Sequence, residues 1–495
     1  MKHRIILAAG LCALMVMGGC KRQTVVETLT LPIIEKALGD TRSVFYQDFS
    51  KYPQDMKDLP IGIFDSGTGG LTVAERIISF DRFNNISGAQ GSDRILDFAG
   101  EHFVYLADQA NMPYGTYDAN GKADYLQELV VKDALFLLGD RYYKSAFDLQ
   151  PTGEKPRCKI IVIACNTATA YGLSYVRSLL ERSGTGVKVI GVINAGSKAA
   201  LDLLCDKDHP CTIGVLATVG TISSGAYERT INEMAAERNG GPQITVVNQS
   251  GYGFAESVDS EPDFVNPALT GPRESYRGPR IGTGDGDLKA ELLDVYNFDY
   301  EEGRMLWSEG EDGAKENLQL NSAINYARFN LVSLVERHRL SGSTVPISAV
   351  ILGCTHYPFQ LETLQKVVAE LREYNVEGKY PYRELLAPDL IFIDPAVYTA
   401  EECYRTLRED GNLAFRVTPQ EVKAYISVPS AELDPKYLTE DGKLTYEFKY
   451  GRATGTEEIT TRQVPFSKSN LDAENLERIH KMLPYCYSLI YPTLN

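Results

Sequence analysis

Two apolar runs of strand length constrain this chain more than any other feature. Lys159-Ile-Ile-Val-Ile-Ala and Val345 to Leu352 each end in a cysteine that opens a hydrogen-bonding loop, and an amphipathic helical pattern follows. A buried strand that leads through a turn into a helix is the unit of parallel α/β layers, because parallel strands need a crossover to return. The unit recurs at Ile61-Gly-Ile-Phe, which leads into Asp65-Ser-Gly-Thr-Gly-Gly and a helix from about Leu71. Val187 to Ile193, Thr212 to Leu216, Ile244 to Val247 and Ile391-Phe-Ile-Asp-Pro read as further strands. Helices are expected from Asn166 through Leu180, from Ser224 to Glu237, from Gln360 to Glu373 and from Thr399 to Leu407. With 495 residues the chain exceeds what one core serves, so at least two domains are expected.

Between about Asp259 and Leu320 the pattern lapses into Gly, Pro and acidic residues, as in Gly278-Pro-Arg-Ile-Gly-Thr-Gly-Asp-Gly-Asp, and reads as an inserted surface excursion. From about Val422, Tyr-rich segments such as Leu444-Thr-Tyr-Glu-Phe-Lys-Tyr alternate as strands and read as an appended region. No long-period repeat is present beyond the echo of the two cysteine motifs.

The first twenty residues follow other rules. Met1-Lys-His-Arg is a basic start, and Ile5 to Met17 is an apolar run too short for an ordinary membrane helix, which is the form of a signal peptide. Gly18-Gly19-Cys20 resembles a lipoprotein cleavage box in which Cys20 becomes lipidated, although Met17 replaces the more usual Leu. Simple cleavage and an uncleaved anchor are the other outcomes. The expectation is an exported protein, membrane-anchored through Cys20 and facing the periplasm or cell exterior, with residues 21–57 as a tether.

A net charge of -16 without a basic stripe excludes a nucleic-acid footprint, which needs clustered Lys and Arg, and leaves a small molecule as the expected ligand. Of nine cysteines, Cys12 and Cys20 fall in the leader, and the seven that remain cannot all pair within the chain. The Cys205 to Cys211 loop is short enough to close a disulfide, yet the set is no disulfide scaffold. No C-x-x-C pair occurs, and His356 is the one histidine in a cysteine motif, so no metal site is expected.

Loops at the C-terminal ends of parallel strands are where α/β folds assemble ligand sites, since helix N-termini there offer free N–H groups. A thiol in that position is expected to ionise below the usual thiol value, although a lone strand-end cysteine is as readily a packed small hydrophobe. The neighbours weigh toward chemistry: Asn166-Thr167 follow Cys165, and Thr355-His356 follow Cys354. They bring amide, hydroxyl and imidazole groups suited to an amino acid's carboxylate and ammonium. Asp65-Ser66 adds a carboxylate and a hydroxyl; the bland readings are an N-cap and a mere turn. The Gly-Thr-Gly-Gly run lacks the Lys-Ser/Thr ending of a phosphate loop.

Taken in order, Ile61-Gly-Ile-Phe-Asp-Ser-Gly-Thr-Gly-Gly-Leu-Thr, Met112-Pro-Tyr-Gly-Thr, Ala164-Cys-Asn-Thr-Ala-Thr-Ala and Leu352-Gly-Cys-Thr-His-Tyr-Pro resemble the glutamate racemase branch of the aspartate/glutamate racemase family. The resemblance covers roughly residues 58 to 258 and 343 to 410, with Gly191-Val-Ile-Asn-Ala-Gly and Ile213-Gly-Val-Leu-Ala-Thr between. It implies two pseudo-symmetric α/β domains with mainly parallel sheets, the active site in the cleft between them, and no pyridoxal phosphate or metal. On that reading residues 58–192 with about 372–421 form the first domain, residues 193–371 the second with its insertion at 259–320, and residues 422–495 an extension.

The resemblance implies that Cys165 and Cys354 face opposite sides of the substrate α-carbon, one removing a proton as thiolate while the other returns one as thiol. Asp65 and His356 resemble the helpers beside the two thiols. Ser66, Tyr114, Gly115, Asn166, Thr167 and Thr355 match substrate-holding positions, with Thr218 and Thr221 as weaker candidates for the side-chain carboxylate. The role of Glu256 stays open, because Gly251-Tyr-Gly-Phe-Ala departs from the family's segment there. The expected activity is interconversion of L- and D-glutamate, with aspartate or another amino acid as alternative. A non-catalytic exported receptor for acidic amino acids, a one-thiol decarboxylase and a cysteine hydrolase are the competing readings, and a homodimer is compatible with the racemase reading. Export fits poorly with D-glutamate for cell-wall peptidoglycan, which is needed in the cytoplasm.

Overall fold

The computed structural model describes residues 29–204, 209–238, 243–311, 313–415, 419–456, 459–471 and 473–494. The leader, the lipidation candidate Cys20 and Cys205 lie outside these residues. In chain order the elements that build the fold begin with helix α1 (Pro32–Gly39), strand β1 (Ile61–Asp65), helix α2 (Leu71–Ile78), strand β2 (Phe103–Ala107) and helix α3 (Ala123–Leu138). Strand β3 (Ile160–Ile163), helix α4 (Asn166–Ser183), strand β4 (Lys188–Gly191) and helix α5 (Val192–Leu204) follow. Strand β5 (Cys211–Ala217), helix α6 (Ala226–Ala236) and strand β6 (Ile244–Ser250) come next, then a hairpin of β7 (Met305–Glu309) and β8 (Lys315–Leu320). Helix α7 (Ala323–Leu340), strand β9 (Ile347–Gly353), helix α8 (Leu361–Glu373), strand β10 (Leu386–Ile393) and helix α9 (Pro395–Glu409) complete the second half. The chain closes with strands β11 (Val422–Pro429) and β12 (Thr461–Pro465) and helices α10 (Ala473–Met482) and α11 (Pro484–Ile490).

The strands form two main sheets, in the orders β12-β11-β2-β1-β3-β4 and β10-β9-β5-β6. All their pairings are parallel except β11 with β12. The chain is thus α/β with mainly parallel sheets. The Ile, Val and Leu runs of β1, β2, β3 and β5 are buried throughout, as parallel strands covered on both faces require. Helix α5 follows β4 of the first sheet but buries Ile193, Ala199, Ala200 and Leu201 among Ile213 and Val215 of the second. Helix α9 makes the return crossing and buries Ala400, Cys403, Tyr404 and Leu407 in the first sheet's core. These two crossovers hold the halves side by side with the C-terminal ends of their strands converging.

Several expectations change. Strand β10 joins the second sheet beside β9, so the segment assigned to the first domain at about 372–421 is divided: its strand serves the second sheet and its helix α9 the first. Strand β11 pairs with β2 in parallel, Tyr425 opposite Leu106, so residues 422–495 complete the first sheet instead of being appended to it. The tether is packed from residue 29 onward: Ile33, Ile34 and Ala37 are buried against α3 and α4, and Arg182 holds Glu35 through two hydrogen bonds of 2.7 and 2.8 Å. The insertion is no surface excursion, since Tyr276, Leu288, Tyr296, Phe298, Met305 and Leu320 are buried in the second core.

The Tyr-rich segment also turns out helical over Tyr446–Gly451, because Thr445 caps its first turn by accepting from Phe448 N and because Phe448 stacks on Tyr437 with ring centroids 4.2 Å apart. Strand β4 ends at Gly191, where the helix α5 begins, two residues earlier than the apolar run suggests.

Candidate active site

Each sheet presents one thiol at the C-terminal end of a strand. Cys165 follows β3 and caps α4, its sulfur accepting from Ala168 N at 3.4 Å. Cys354 follows β9 directly. Both are buried, at 8% and 7% exposure. Sheet register supplies the neighbours. Phe64 of β1 lies opposite Ile163 of β3, so Asp65 emerges beside Cys165. Ala217 of β5 lies opposite Gly353 of β9, so Thr218 emerges beside Cys354. The echo in the sequence is therefore an echo in space.

On the first side, Asp65 Oδ2 accepts from Gly70 N at 2.7 Å and Gly67 N at 3.4 Å, which shapes the Gly-rich loop around the carboxylate. The loop demands glycine at position 70, where a Cβ would lie 2.3 Å from Asp65 Cβ. The Cys165 thiol points to Ser66 Oγ at 3.7 Å. Burial pushes the Asp65 carboxyl above its ordinary range, against the opposing pull of Gly70 N–H and His356. Burial and the Asp65 charge push the Cys165 thiol up as well. This corrects the expectation of a lowered thiol at a helix N-terminus: desolvation and a neighbouring carboxylate outweigh the amide of Ala168 and the groups of Ser66.

On the second side, His356 Nδ1 lies 3.4 Å from Cys354 Sγ and 3.5 Å from Thr355 Oγ1, while its Nε2 faces Asp259 Oδ2 at 3.0 Å. Burial alone would lower the imidazole pKa, yet Cys354, Asp65 and Glu256 together carry it above the ordinary histidine value. Burial raises the carboxyl of Glu256, partly offset by His356, which places that acid on the same side of the site. Phe254 stacks on Tyr357 with centroids 4.2 Å apart and fixes the short helix that carries Glu256.

The two sides meet. A Cβ on Gly69 would lie 2.7 Å from His356 Cε1 and 3.1 Å from Thr355 Oγ1, so the Asp65 loop rests on the Cys354 loop. Gly220, in the turn after Thr218, would clash at 2.7 Å with the backbone of Gly115. Thr167 Oγ1 lies 3.2 Å from Thr221 Oγ1 and 3.5 Å from Thr218 Oγ1, and Tyr227 OH donates to Asn166 Oδ1 at 2.7 Å. Of the sequence candidates, Asp65, Ser66, Gly115, Asn166, Thr167, Thr218, Thr221, Thr355 and His356 thus gather around the two thiols. Tyr114 departs: its phenol turns into the core between Asp108 at 2.5 Å and Asp133 at 2.7 Å, leaving only its backbone near Gly115. Burial, with the Asp108 charge, pushes the Asp133 carboxyl well above its ordinary range, and Tyr114 OH donates to Asp133 Oδ2.

Sequence reasoning missed Tyr227, Gly220, Asp259 and Arg478. Arg478 of α10 donates to Thr68 Oγ1 at 3.2 Å and pairs with Asp259. Among the described residues no group of acidic, histidine or cysteine side chains has the geometry of a metal site.

No protein-family model matches the chain. A curated glutamate racemase of Limosilactobacillus fermentum is 33% identical over 213 residues, which is 42% of this chain and 62% of the relative. The chain therefore spans about three fifths of that relative's length in this match. A glutamate racemase of Carboxydothermus hydrogenoformans is 26% identical over 374 residues, 74% of this chain and 89% of the relative. The crystal structure of a glutamate racemase isoform from Bacillus anthracis overlays only loosely, with a TM-score of 0.43 at 22% identity over 74% of this chain and 88% of that one. Through these matches the chain is similar in sequence to curated glutamate racemases.

Proposed function

We propose that the chain racemises glutamate without a cofactor, Cys165 and Cys354 acting as opposed acid and base at the α-carbon. One observation carries the reading: two thiols stand at equivalent strand ends of two sheets whose loops touch, each with a helper group beside it. Inversion needs two groups, because a single base that returned its own proton would restore the starting hand. Burial keeps the proton on Cys165, which suits it as the donor of the resting enzyme, while the raised His356 faces Cys354 and suits it to receive that thiol's proton. The Cys354 S–H proton moves to His356 Nδ1, and the thiolate then takes the α-hydrogen as Cys165 delivers its own to the opposite face. An α-hydrogen is far less acidic than a thiol, so fixed dipoles in a closed, water-poor cleft have to make up the difference, at about 1.4 kcal/mol for each unit of effective mismatch removed.

Thr167, Thr218 and Thr221 form a hydroxyl cluster at the junction of the halves, suited to an acidic side chain's carboxylate. This supports glutamate or aspartate over an apolar amino acid. The relatives named glutamate racemase support glutamate first. Chiral chromatography of L- and D-glutamate and of L- and D-aspartate incubated with the purified protein under reducing conditions tests the choice. The proposal includes export and lipid anchoring at Cys20; the mass of the N-terminal peptide of membrane-extracted protein, with or without acyl chains, tests that part.

A further inference from the structure

We propose that Arg478, from the C-terminal helix, is a positioning residue for the second thiol: it fixes the Asp259 carboxylate against His356 and so holds the imidazole on Cys354. The inference rests on the reading of Cys354 and His356 as a working pair. It concerns the two segments that the family resemblance leaves uncovered, the insertion and the C-terminal region.

Asp259 follows the short helix Phe254–Val258 at the start of the insertion, and its Oδ2 lies 3.0 Å from His356 Nε2. A carboxylate there accepts the Nε2 proton, which selects the tautomer whose Nδ1 is left to face Cys354 Sγ at 3.4 Å. Cys354, His356 and Asp259 thus line up as thiol, base and orienting acid, the carboxylate holding the imidazole that takes the thiol's proton. The other oxygen of Asp259 pairs with the Arg478 guanidinium. That guanidinium is tied down in turn: Nη2 donates to Thr68 Oγ1 at 3.2 Å and to Asn475 Oδ1 at 2.8 Å.

Arg478 therefore spans the cleft, from the Gly-rich loop of the first sheet to the insertion on the second. Its side chain is 21% exposed and that of Asp259 23%, so the pair is partly withdrawn from water and worth more than a surface ion pair. The charged and titratable groups facing His356 are Cys354, Asp65, Glu256, Glu261 and Asp259. All but Cys354 are carboxyl groups, and only Asp259 among them has Arg478 to set its place.

The test measures alkylation of Cys354 by iodoacetamide in the full chain, resolved by peptide mass spectrometry, in a Cys165→Ala background at neutral pH. Alkylation reports thiolate and needs no turnover, so a chain that racemises nothing can pass the test and a working racemase can fail it. Asp259→Asn is expected to slow alkylation about tenfold, the factor given by one unit of displaced thiol pKa, and Arg478→Met to slow it by a similar factor. The double variant should be no slower than Asp259→Asn alone, because the arginine acts through the aspartate. Arg478→Lys, which keeps the charge without the fork, should slow alkylation about threefold. Buried Cys158 and Cys403 serve as internal reporters of unfolding; if Arg478→Met exposes them, Arg478→Lys carries the test. An unchanged or faster rate in the arginine variants, as expected if the guanidinium merely competed with His356 for Asp259, overturns the proposal, and so does full additivity in the double variant.

Discussion

His356 Nδ1 lies 3.4 Å from the sulfur of Cys354, and the groups around it raise the imidazole pKa above its ordinary value. A histidine that binds its proton more tightly when folded stabilises the fold fully below its unfolded pKa of about 6.5 and loses that contribution as pH rises through the folded value. His356→Gln is therefore expected to lower Tm most at about pH 5 to 6 and progressively less toward alkaline pH. Differential scanning calorimetry of both proteins across that range measures the effect; a Tm difference independent of pH would contradict it.

Asp65 carries the opposite sign. Burial raises its carboxyl, so above its unfolded pKa of about 3.9 ionisation works against folding, and the penalty disappears below that value. Asp65→Asn is expected to raise Tm at neutral pH, to leave it unchanged near about pH 3, and to lower kcat for glutamate about a hundredfold or more through loss of the helper beside Cys165. Thermal melts at the two pH values, set beside the racemisation rate, check a gain in stability coupled to a loss of activity.

Gly220 packs against Gly115 across the junction of the halves, where a Cβ would come within 2.7 Å of the Gly115 Cα and carbonyl oxygen. Both neighbours are backbone, so neither yields cheaply, and Gly220→Ala is expected to cost about 1–3 kcal/mol of stability and to raise KM by wedging the cleft open. Denaturant unfolding and steady-state kinetics on this variant measure both. Gly184→Ala is the control: its Cβ would meet nothing within 4 Å and the site is remote, so its cost is confined to stability through the left-handed backbone at φ 66°.

Tyr227 OH donates to Asn166 Oδ1 at 2.7 Å and ties the second half to the loop of the first thiol. Removing one buried hydrogen bond that also orients a loop costs about 1–1.5 kcal/mol, so Tyr227→Phe is expected to reduce kcat/KM about tenfold. Unchanged kinetics would mean that Asn166 holds its place without the phenol.

The two thiols were legible in the sequence because each ends a continuous apolar run and opens a helix, a pattern that survives without any knowledge of pairing partners. Asp65 and His356, which the structure brings beside them, were legible for the same reason, since Asp65 also ends such a run and His356 lies two residues beyond Cys354. What escaped depends on long-range pairing. Strand β11 reads as part of an appended region until its register with β2 is seen. The insertion looks polar because its buried anchors, Tyr276, Tyr296 and Phe298, are spaced without helical or strand period. Asp259 and Arg478 sit in the two segments with no motif, and only the fold brings them onto one histidine. Tyr114 differs: the buried acids Asp108 and Asp133 draw its phenol into the core, which no local pattern announces.

The central claim is that two thiols exchange protons at one α-carbon from opposite faces. Incubation of the purified protein with L-glutamate and, separately, D-glutamate in heavy water, read by NMR for α-deuterium and by chiral chromatography for configuration, tests it most directly. The account predicts deuterium in the inverted product from either enantiomer, with inversion abolished by Cys165→Ala and equally by Cys354→Ala. Inversion that survives the loss of either thiol, or no exchange with glutamate or aspartate despite measurable binding, would contradict it.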